Sequence, residues 1–132
     1  MASAVPLLSA YLVLVGMMLG SFINLAADRL PRHESIVRPR SHCRACGRKL
    51  NTIDLLPVVG YFIRRGRCAT CGTPIGAAAP MVEAACGAGM AVGIVWLGVW
   101  PGGLVGLALI VLFGAAIISL AMRRLPAAEA RT

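Results

Sequence analysis

The chain has 132 residues, of which 58% are hydrophobic, and a mean hydropathy of +0.80 that excludes an ordinary soluble protein. Thirteen Lys and Arg residues against five Asp and Glu give a net charge of +8, a balance also found in nucleic-acid-binding proteins. Ten of the basic residues lie between Arg29 and Arg67, and two more follow the last apolar run. Because this is the positive-inside pattern of a membrane protein, we expect membrane lipids and no nucleic acid as partners.

Three apolar runs are long enough to cross the hydrocarbon core of a bilayer as α-helices. The expected segments are a first membrane helix at 1–27, a loop at 28–77, a second helix at 78–100, a third at 104–122 and a tail at 123–132. Pro101-Gly102-Gly103 is expected to form the turn between the last two helices. No basic residue precedes the first run, which is also too long for a cleaved signal sequence. Since loops rich in Lys and Arg stay in the cytoplasm, we expect the N-terminus outside, and the loop and the C-terminus inside.

The loop carries two Cys-x-x-Cys-Gly sequences, with 21 residues between Cys46 and Cys68, slightly more than is usual in a four-cysteine zinc site. Two thiolates three positions apart can occupy two corners of a tetrahedron, and the following glycine lets the backbone turn around the metal. A reducing cytoplasm disfavours disulfides. The predicted zinc ligands are Cys43, Cys46, Cys68 and Cys71. Iron in a tetrathiolate site uses the same ligands and stays open. Four cysteines already satisfy zinc, so His33 and His42 are expected to be solvated.

The predicted fold class is therefore membrane all-α, with three transmembrane helices and a small cytoplasmic zinc-knuckle loop between the first two. Glu83 is the one acidic residue within a predicted span. An intramembrane carboxylate is a functional candidate, yet a glutamate this close to the headgroups can also reach water, and both interpretations stay open. Cys86 is expected to pack between helices. Gly89 and Gly93 have the Gly-x-x-x-Gly spacing of close helix packing, although small residues simply abound in this run.

Further motifs surround the cysteines between residues 20 and 83. They are Gly20-Ser21-Phe22-Ile23-Asn24, Arg29-Leu30-Pro31, Ser41-x-Cys43-x-x-Cys46, Asp54-x-x-Pro57, Tyr61, Arg64-x-Gly66-Arg67-Cys68-x-x-Cys71, Ile75, Pro80, Val82 and Glu83. In this order they resemble the N-terminal region of the type IV prepilin peptidase family. The resemblance implies a multi-pass protein of the bacterial cytoplasmic (inner) membrane that serves a type IV pilus or type II secretion system. Members of this family cut the leader from prepilins and pseudopilins, and many then methylate the new N-terminus with S-adenosylmethionine.

The family's peptidase step uses two aspartates, the second within a Gly-x-Gly-Asp motif in its C-terminal half. Residues 118–127 resemble the segment that carries the first aspartate, but Ser119 occupies its position, and the 132 residues contain no Gly-x-Gly-Asp. The resemblance thus implies a shortened, proteolytically inactive relative that binds prepilins, pseudopilins or a separate catalytic subunit. Two alternatives stay open. One is a remnant of the pilin methyltransferase, which would use S-adenosylmethionine; the other is a zinc-stabilised membrane scaffold unrelated to pilins.

Overall fold

The computed structural model describes residues 4–129, with the side chains of residues 4–124. The chain forms four α-helices, which are α1 at Ala4–Arg29, α2 at Val59–Ile63, α3 at Ala78–Leu97 and α4 at Val99–Glu129. A single 3₁₀ turn at Leu30–Arg32 follows α1, and the part of the chain described here contains no strand. The backbone of α4 continues into the predicted tail at 123–132, whose last three residues lie outside the described residues.

The helices α1, α3 and α4 are each long and apolar enough to cross a membrane. At most 28% of the residues in their most apolar stretches are buried inside the protein, so most of this apolar surface faces outward. Exposing it to water would cost free energy in proportion to its area, and the acyl chains of a bilayer remove that cost. The predicted all-α fold with three candidate membrane helices is confirmed.

The helices α1 and α3 approach each other closely at a glycine of α1. A Cβ atom at Gly20 would lie 2.9 Å from the Cα atom of Glu83 and 2.9 Å from the carbonyl oxygen of Val82, so only glycine fits there without displacing backbone. One turn earlier, a Cβ atom at Gly16 would lie 3.2 Å from the carbonyl oxygen of Cys86. The sequence Gly16-x-x-x-Gly20 therefore brings these two helices together. Sequence reasoning missed it, although its spacing is the same as that of the pair on α3.

The two glycines of the pair predicted on α3 lie in different surroundings. A Cβ atom at Gly89 would meet nothing within 4 Å, whereas one at Gly93 would lie 2.8 Å from the carbonyl oxygen of Gly102 on α4. Of this pair, Gly93 takes part in the close approach of α3 and α4, where it faces Gly102, and Gly89 does not. The buried residues that form the core between the three helices are Ile23, Cys86, Met90, Ile94 and Ile110. Cys86 packs between helices as expected, with 2% of its surface exposed.

The turn between α3 and α4 differs from the expected place. Gly98, with a φ of 84°, is the one residue between the two helices, and its carbonyl oxygen accepts a hydrogen bond of 2.9 Å from the N–H of Gly102. Pro101, Gly102 and Gly103 belong to the start of α4. A proline is tolerated in the first turn of a helix because the N–H that it lacks would have no partner there. The second and third long helices consequently meet at residue 98 rather than at 101–103.

Candidate metal centre and the adjacent cavity

Each Cys-x-x-Cys-Gly sequence folds into a tight turn, and the two turns have the same hydrogen bonds. In the first, the N–H of Cys43 donates to the carbonyl oxygen of Arg48 and the N–H of Gly47 donates to that of Cys43, both at 2.8 Å. The equivalent bonds from Cys68 and Gly72 measure 2.9 and 3.0 Å. The φ angles of Gly47 and Gly72 are 71° and 69°, a left-handed conformation that favours glycine. The predicted role of the two glycines in turning the backbone is confirmed.

The two turns bring the four predicted ligands together. The Sγ atoms of Cys43, Cys46, Cys68 and Cys71 all lie within 4.8 Å of one another. The Sγ–Sγ distance is 3.8 Å between Cys43 and Cys71 and 3.9 Å between Cys46 and Cys68, and all four are free thiols. Four sulfur atoms around a tetrahedral zinc, each at about 2.3 Å from the metal, stand about 3.8 Å apart. The cluster therefore fits a tetrahedral metal ion, and neither His33 nor His42 belongs to it.

Hydrogen bonds give these thiols unequal acidity. The backbone N–H groups of Cys71 and Thr70 lower the pKa of Cys68 to about 6, with help from the guanidinium of Arg48 and against the effect of burial. At Cys46, the backbone N–H of Arg48 lowers the pKa, but burial and the neighbouring thiols outweigh it and raise the pKa to about 11. Cys68 is therefore more readily ionised than Cys46, and the thiolate is the form that binds metal ions.

Asp54 connects the two cysteine turns. Its carboxylate accepts a hydrogen bond of 2.7 Å from Nη2 of Arg48, at the end of the first turn, and one of 2.6 Å from Nε of Arg64, just before the second. The backbone N–H of Asn51 donates a third, at 3.0 Å. Burial raises the pKa of Asp54, but these three donors outweigh it and hold the pKa below its ordinary value. Sequence reasoning identified Asp54 only as part of a motif, because its partners are set by folding.

Glu83 holds the loop against α3. Only 7% of its surface is exposed, and its Oε2 atom accepts a hydrogen bond of 2.6 Å from the backbone N–H of Val58. Val58 has a φ of 60°, a conformation that is rare for a β-branched residue and needs support from its surroundings. The carboxylate therefore points into the junction between loop and helix instead of extending into water. This contact, between residues 25 positions apart, has no signal in the sequence.

A cavity of about 260 Å³ lies at the same junction. Ser21 and Asn24 of α1 line it together with Glu83 of α3, and Asp28, Arg29 and Arg44 add charges of both signs. Arg44 is shared by two acidic side chains, since its Nη2 atom lies 2.5 Å from Asp28 and 3.3 Å from Glu34. The motifs at the end of α1 and at the start of α3, which are far apart in sequence, thus surround one cavity. Ser119 is exposed on α4 and is not part of its wall.

Comparisons with known proteins agree on one family. The family model described as the bacterial peptidase A24 N-terminal domain matches residues 14–97, which include both cysteine turns and Glu83. The chain is 41% identical over 78 residues to a prepilin leader peptidase/N-methyltransferase of Myxococcus xanthus (strain DK1622). It is 39% identical over 72 residues to a protein of the same name from Bacillus subtilis (strain 168), and 35% identical over 104 residues to one from Burkholderia pseudomallei (strain K96243).

These similarities cover a limited part of each relative. The matched residues make up 59%, 54% and 60% of this chain, in the order given above, but only 23%, 29% and 34% of the relatives' own lengths. The chain thus corresponds to about a quarter to a third of the curated proteins that it resembles. No solved structure matches the chain.

Proposed function

Because the chain belongs to the bacterial peptidase A24 N-terminal domain family, we propose that it is a prepilin-peptidase-like protein of the bacterial inner membrane. In this proposal, residues 1–132 bind prepilins, pseudopilins or a catalytic subunit but do not cut prepilins themselves. The proposed lack of cleavage rests on the placement of the carboxylates. Aspartic proteolysis requires two carboxylates that share one site, one of them protonated and the other ionised.

The acidic side chains of the described residues have other partners. Both oxygen atoms of Asp54 bind arginines, and Glu83 binds the backbone of Val58. Asp28 and Glu34 are half-exposed and share the guanidinium of Arg44. By the resemblance of residues 118–127 to the family, Ser119 stands in place of the first catalytic aspartate, and a hydroxyl group is not a base at neutral pH. This arrangement supports binding without cleavage.

The cysteine cluster supports a structural metal in the loop. We propose zinc, with Cys43, Cys46, Cys68 and Cys71 as its ligands. When bound, the metal would supply folding free energy to a loop that has little apolar core of its own. The protein's own side chains position the loop. Asp54 orients the arginines that connect the turns, and Glu83 fixes the loop on α3, which completes the wall of the cavity.

The cleavage test uses a host that lacks any prepilin peptidase. We expect a prepilin co-expressed with this chain to keep its leader, and the Ser119→Asp variant to leave it uncut as well, because one carboxylate cannot perform the reaction. Loss of a catalytic group typically lowers the rate by several orders of magnitude, so no product should be detected. An active peptidase expressed from the same vector serves as the positive control. Leader removal by the purified 132-residue chain would contradict the proposal.

Binding is tested separately, by co-purification of a tagged prepilin in mild detergent. We expect wild type to retain the prepilin and Ser21→Trp, which fills the cavity, to lose most of it. Ser9→Trp, at the opposite end of α1, is the matched control and should behave as wild type. Equal retention by both variants would exclude the cavity as the binding site. Transfer of a labelled methyl group from S-adenosylmethionine to a leaderless pilin would instead favour the methyltransferase alternative.

A further inference from the structure

The short helix α2 has a largely exposed apolar face, on which the ring of Phe62 meets that of its neighbour Tyr61 edge to face, with 5.8 Å between centroids. Val59, Phe62 and Ile63 are 51%, 70% and 55% exposed, and their spacing of three and four positions places them on one side of the helix. The opposite side faces the loop, since a Cβ atom at Gly60 would lie 2.5 Å from the carbonyl oxygen of Ile53. Because so much exposed apolar surface is costly in water, we expect another molecule to cover this face.

The position of α2 along the long helices indicates which molecule covers its apolar face. The hydrogen bond from Val58 to Glu83 fixes the start of α2 level with Glu83, and Gly20 packs against the backbone of Glu83 at that same level. From there α1 continues 16 residues to Ala4, or about 24 Å, and α3 continues 14 residues to Leu97, or about 21 Å. Since the hydrocarbon core of a bilayer is about 30 Å thick, helices of these lengths place the start of α2 within roughly 6–9 Å of the boundary between acyl chains and headgroups, the depth at which interfacial helices lie.

Basic residues follow directly after the apolar face. Arg64 is bound to Asp54, whereas Arg65 is exposed and forms no ion pair within the described residues. An apolar face beside a free cation is the pattern of a helix that lies in the interface of a membrane with anionic lipids. The exposed apolar residues Phe22 of α1 and Met81 of α3 lie within two residues of Gly20 and Glu83, the level at which α2 begins. Depth and charge therefore favour lipid over a second protein chain.

We propose that α2 is an interfacial anchor, which inserts Val59, Phe62 and Ile63 among the acyl chains and presents Arg65 to anionic headgroups. Glu83 is the positioning residue, because its bond to Val58 sets the depth of α2. The anchor would hold the cysteine turns against the membrane surface beside the cavity. This proposal requires that the long helices cross a membrane, and it is independent of whether the chain binds or cuts prepilins.

Tryptophan fluorescence measures the depth of α2 directly. In a Trp96→Phe/Trp100→Phe background, the full chain carrying Phe62→Trp is reconstituted into phosphatidylcholine/phosphatidylglycerol vesicles whose acyl chains are brominated near the headgroup. We expect bromine to quench at least half of the emission. Ile63→Trp is a second reporter in case the first variant fails to fold. Emission from both reporters that is unaffected by bromine would show that water or protein covers the face, and would overturn the proposal.

The matched control is Ala45→Trp in the same background. Ala45 is exposed and adjoins Arg44, whose partner Asp28 lies eight residues beyond Gly20 along α1, about 12 Å further toward the loop. We expect weak quenching there, and quenching equal to that of Phe62→Trp would contradict the assigned depth. Adding Glu83→Gln, which keeps an acceptor for Val58, should preserve the signal of Phe62→Trp, while Glu83→Ala should lower it at least twofold. Equal signals in these two variants would remove Glu83 from the proposal.

Discussion

Asp54 is the residue through which the metal centre is connected to the rest of the loop. Arg48 binds the carboxylate of Asp54, and the same guanidinium lowers the pKa of Cys68. The Nε atom of Arg48 is buried without a hydrogen-bond partner among the described residues, and the acidic groups beside its guanidinium are the carboxylate of Asp54 and the thiol of Cys68. Residues that orient a ligand in this way influence metal affinity without touching the metal.

We predict that Asp54→Asn weakens zinc retention roughly tenfold, since the neutral amide no longer holds both arginines in place. Competition between the purified protein and a chelator measures this. Wild type should contain about one zinc per chain, and Cys43→Ser should lose it almost completely. Glu34→Gln is the matched control, because Glu34 is an exposed partner of Arg44 outside the cluster, and it should retain zinc as wild type does. Disulfides in place of metal in the wild-type protein would contradict the zinc site.

At the scale of whole helices, the packing of α1 against α3 depends on Gly20. An added Cβ atom there would meet backbone atoms of α3, which cannot move aside as the end of a flexible side chain can. We predict that Gly20→Ala lowers the stability in detergent by about 1–3 kcal/mol, the usual cost of overpacking. Thermal unfolding followed by circular dichroism provides the measurement.

Gly89→Ala is the control for this prediction. It adds the same methyl group to α3 where nothing lies within 4 Å. Because alanine favours helix more than glycine does, the unfolding temperature should stay the same or rise slightly. A larger loss of stability in Gly89→Ala than in Gly20→Ala would show that α1 and α3 do not meet at Gly20.

The sequence predicts those helical and loop features that depend on local patterns. Apolar runs identify the three long helices, and the cysteine spacing identifies the metal cluster, because both patterns express geometry over a few residues. The bond between Val58 and Glu83 and the bridge through Asp54 join residues that only the folded chain brings together. The turn at Gly98 was misplaced for another reason, namely that Pro101 suits the start of a helix as well as a turn.

At the scale of the molecule, charge is confined to one end of the helix bundle. The segment between α1 and α3 contains nine of the thirteen arginines and lysines, whereas no charged residue lies between Glu83 and Arg123. The connection at Gly98 is therefore uncharged, and the two ends of the bundle differ in the property that sets orientation during insertion. Because the two ends of the bundle differ in charge, they predict an orientation of the helices in the membrane that can be tested.

We predict that the loop faces the cytoplasm. An alkaline phosphatase fusion at Thr52, within the loop, should be inactive, because the enzyme requires export to fold. The matched control is a fusion at Gly98, between α3 and α4, which should be active. Strong activity at Thr52 together with none at Gly98 would reverse the orientation proposed here.

The single-residue connection at Gly98 also has a consequence for biogenesis. With one residue between them, α3 and α4 form a tight helical hairpin, which favours their insertion into the bilayer as one unit. The tip of that hairpin carries no charged side chain, so its passage avoids the penalty of about 2.5–3.5 kcal/mol that each Lys, Arg or Asp incurs at the centre of a membrane. In the orientation predicted above, insertion of α3 and α4 therefore carries no charged side chain across the bilayer at their connection.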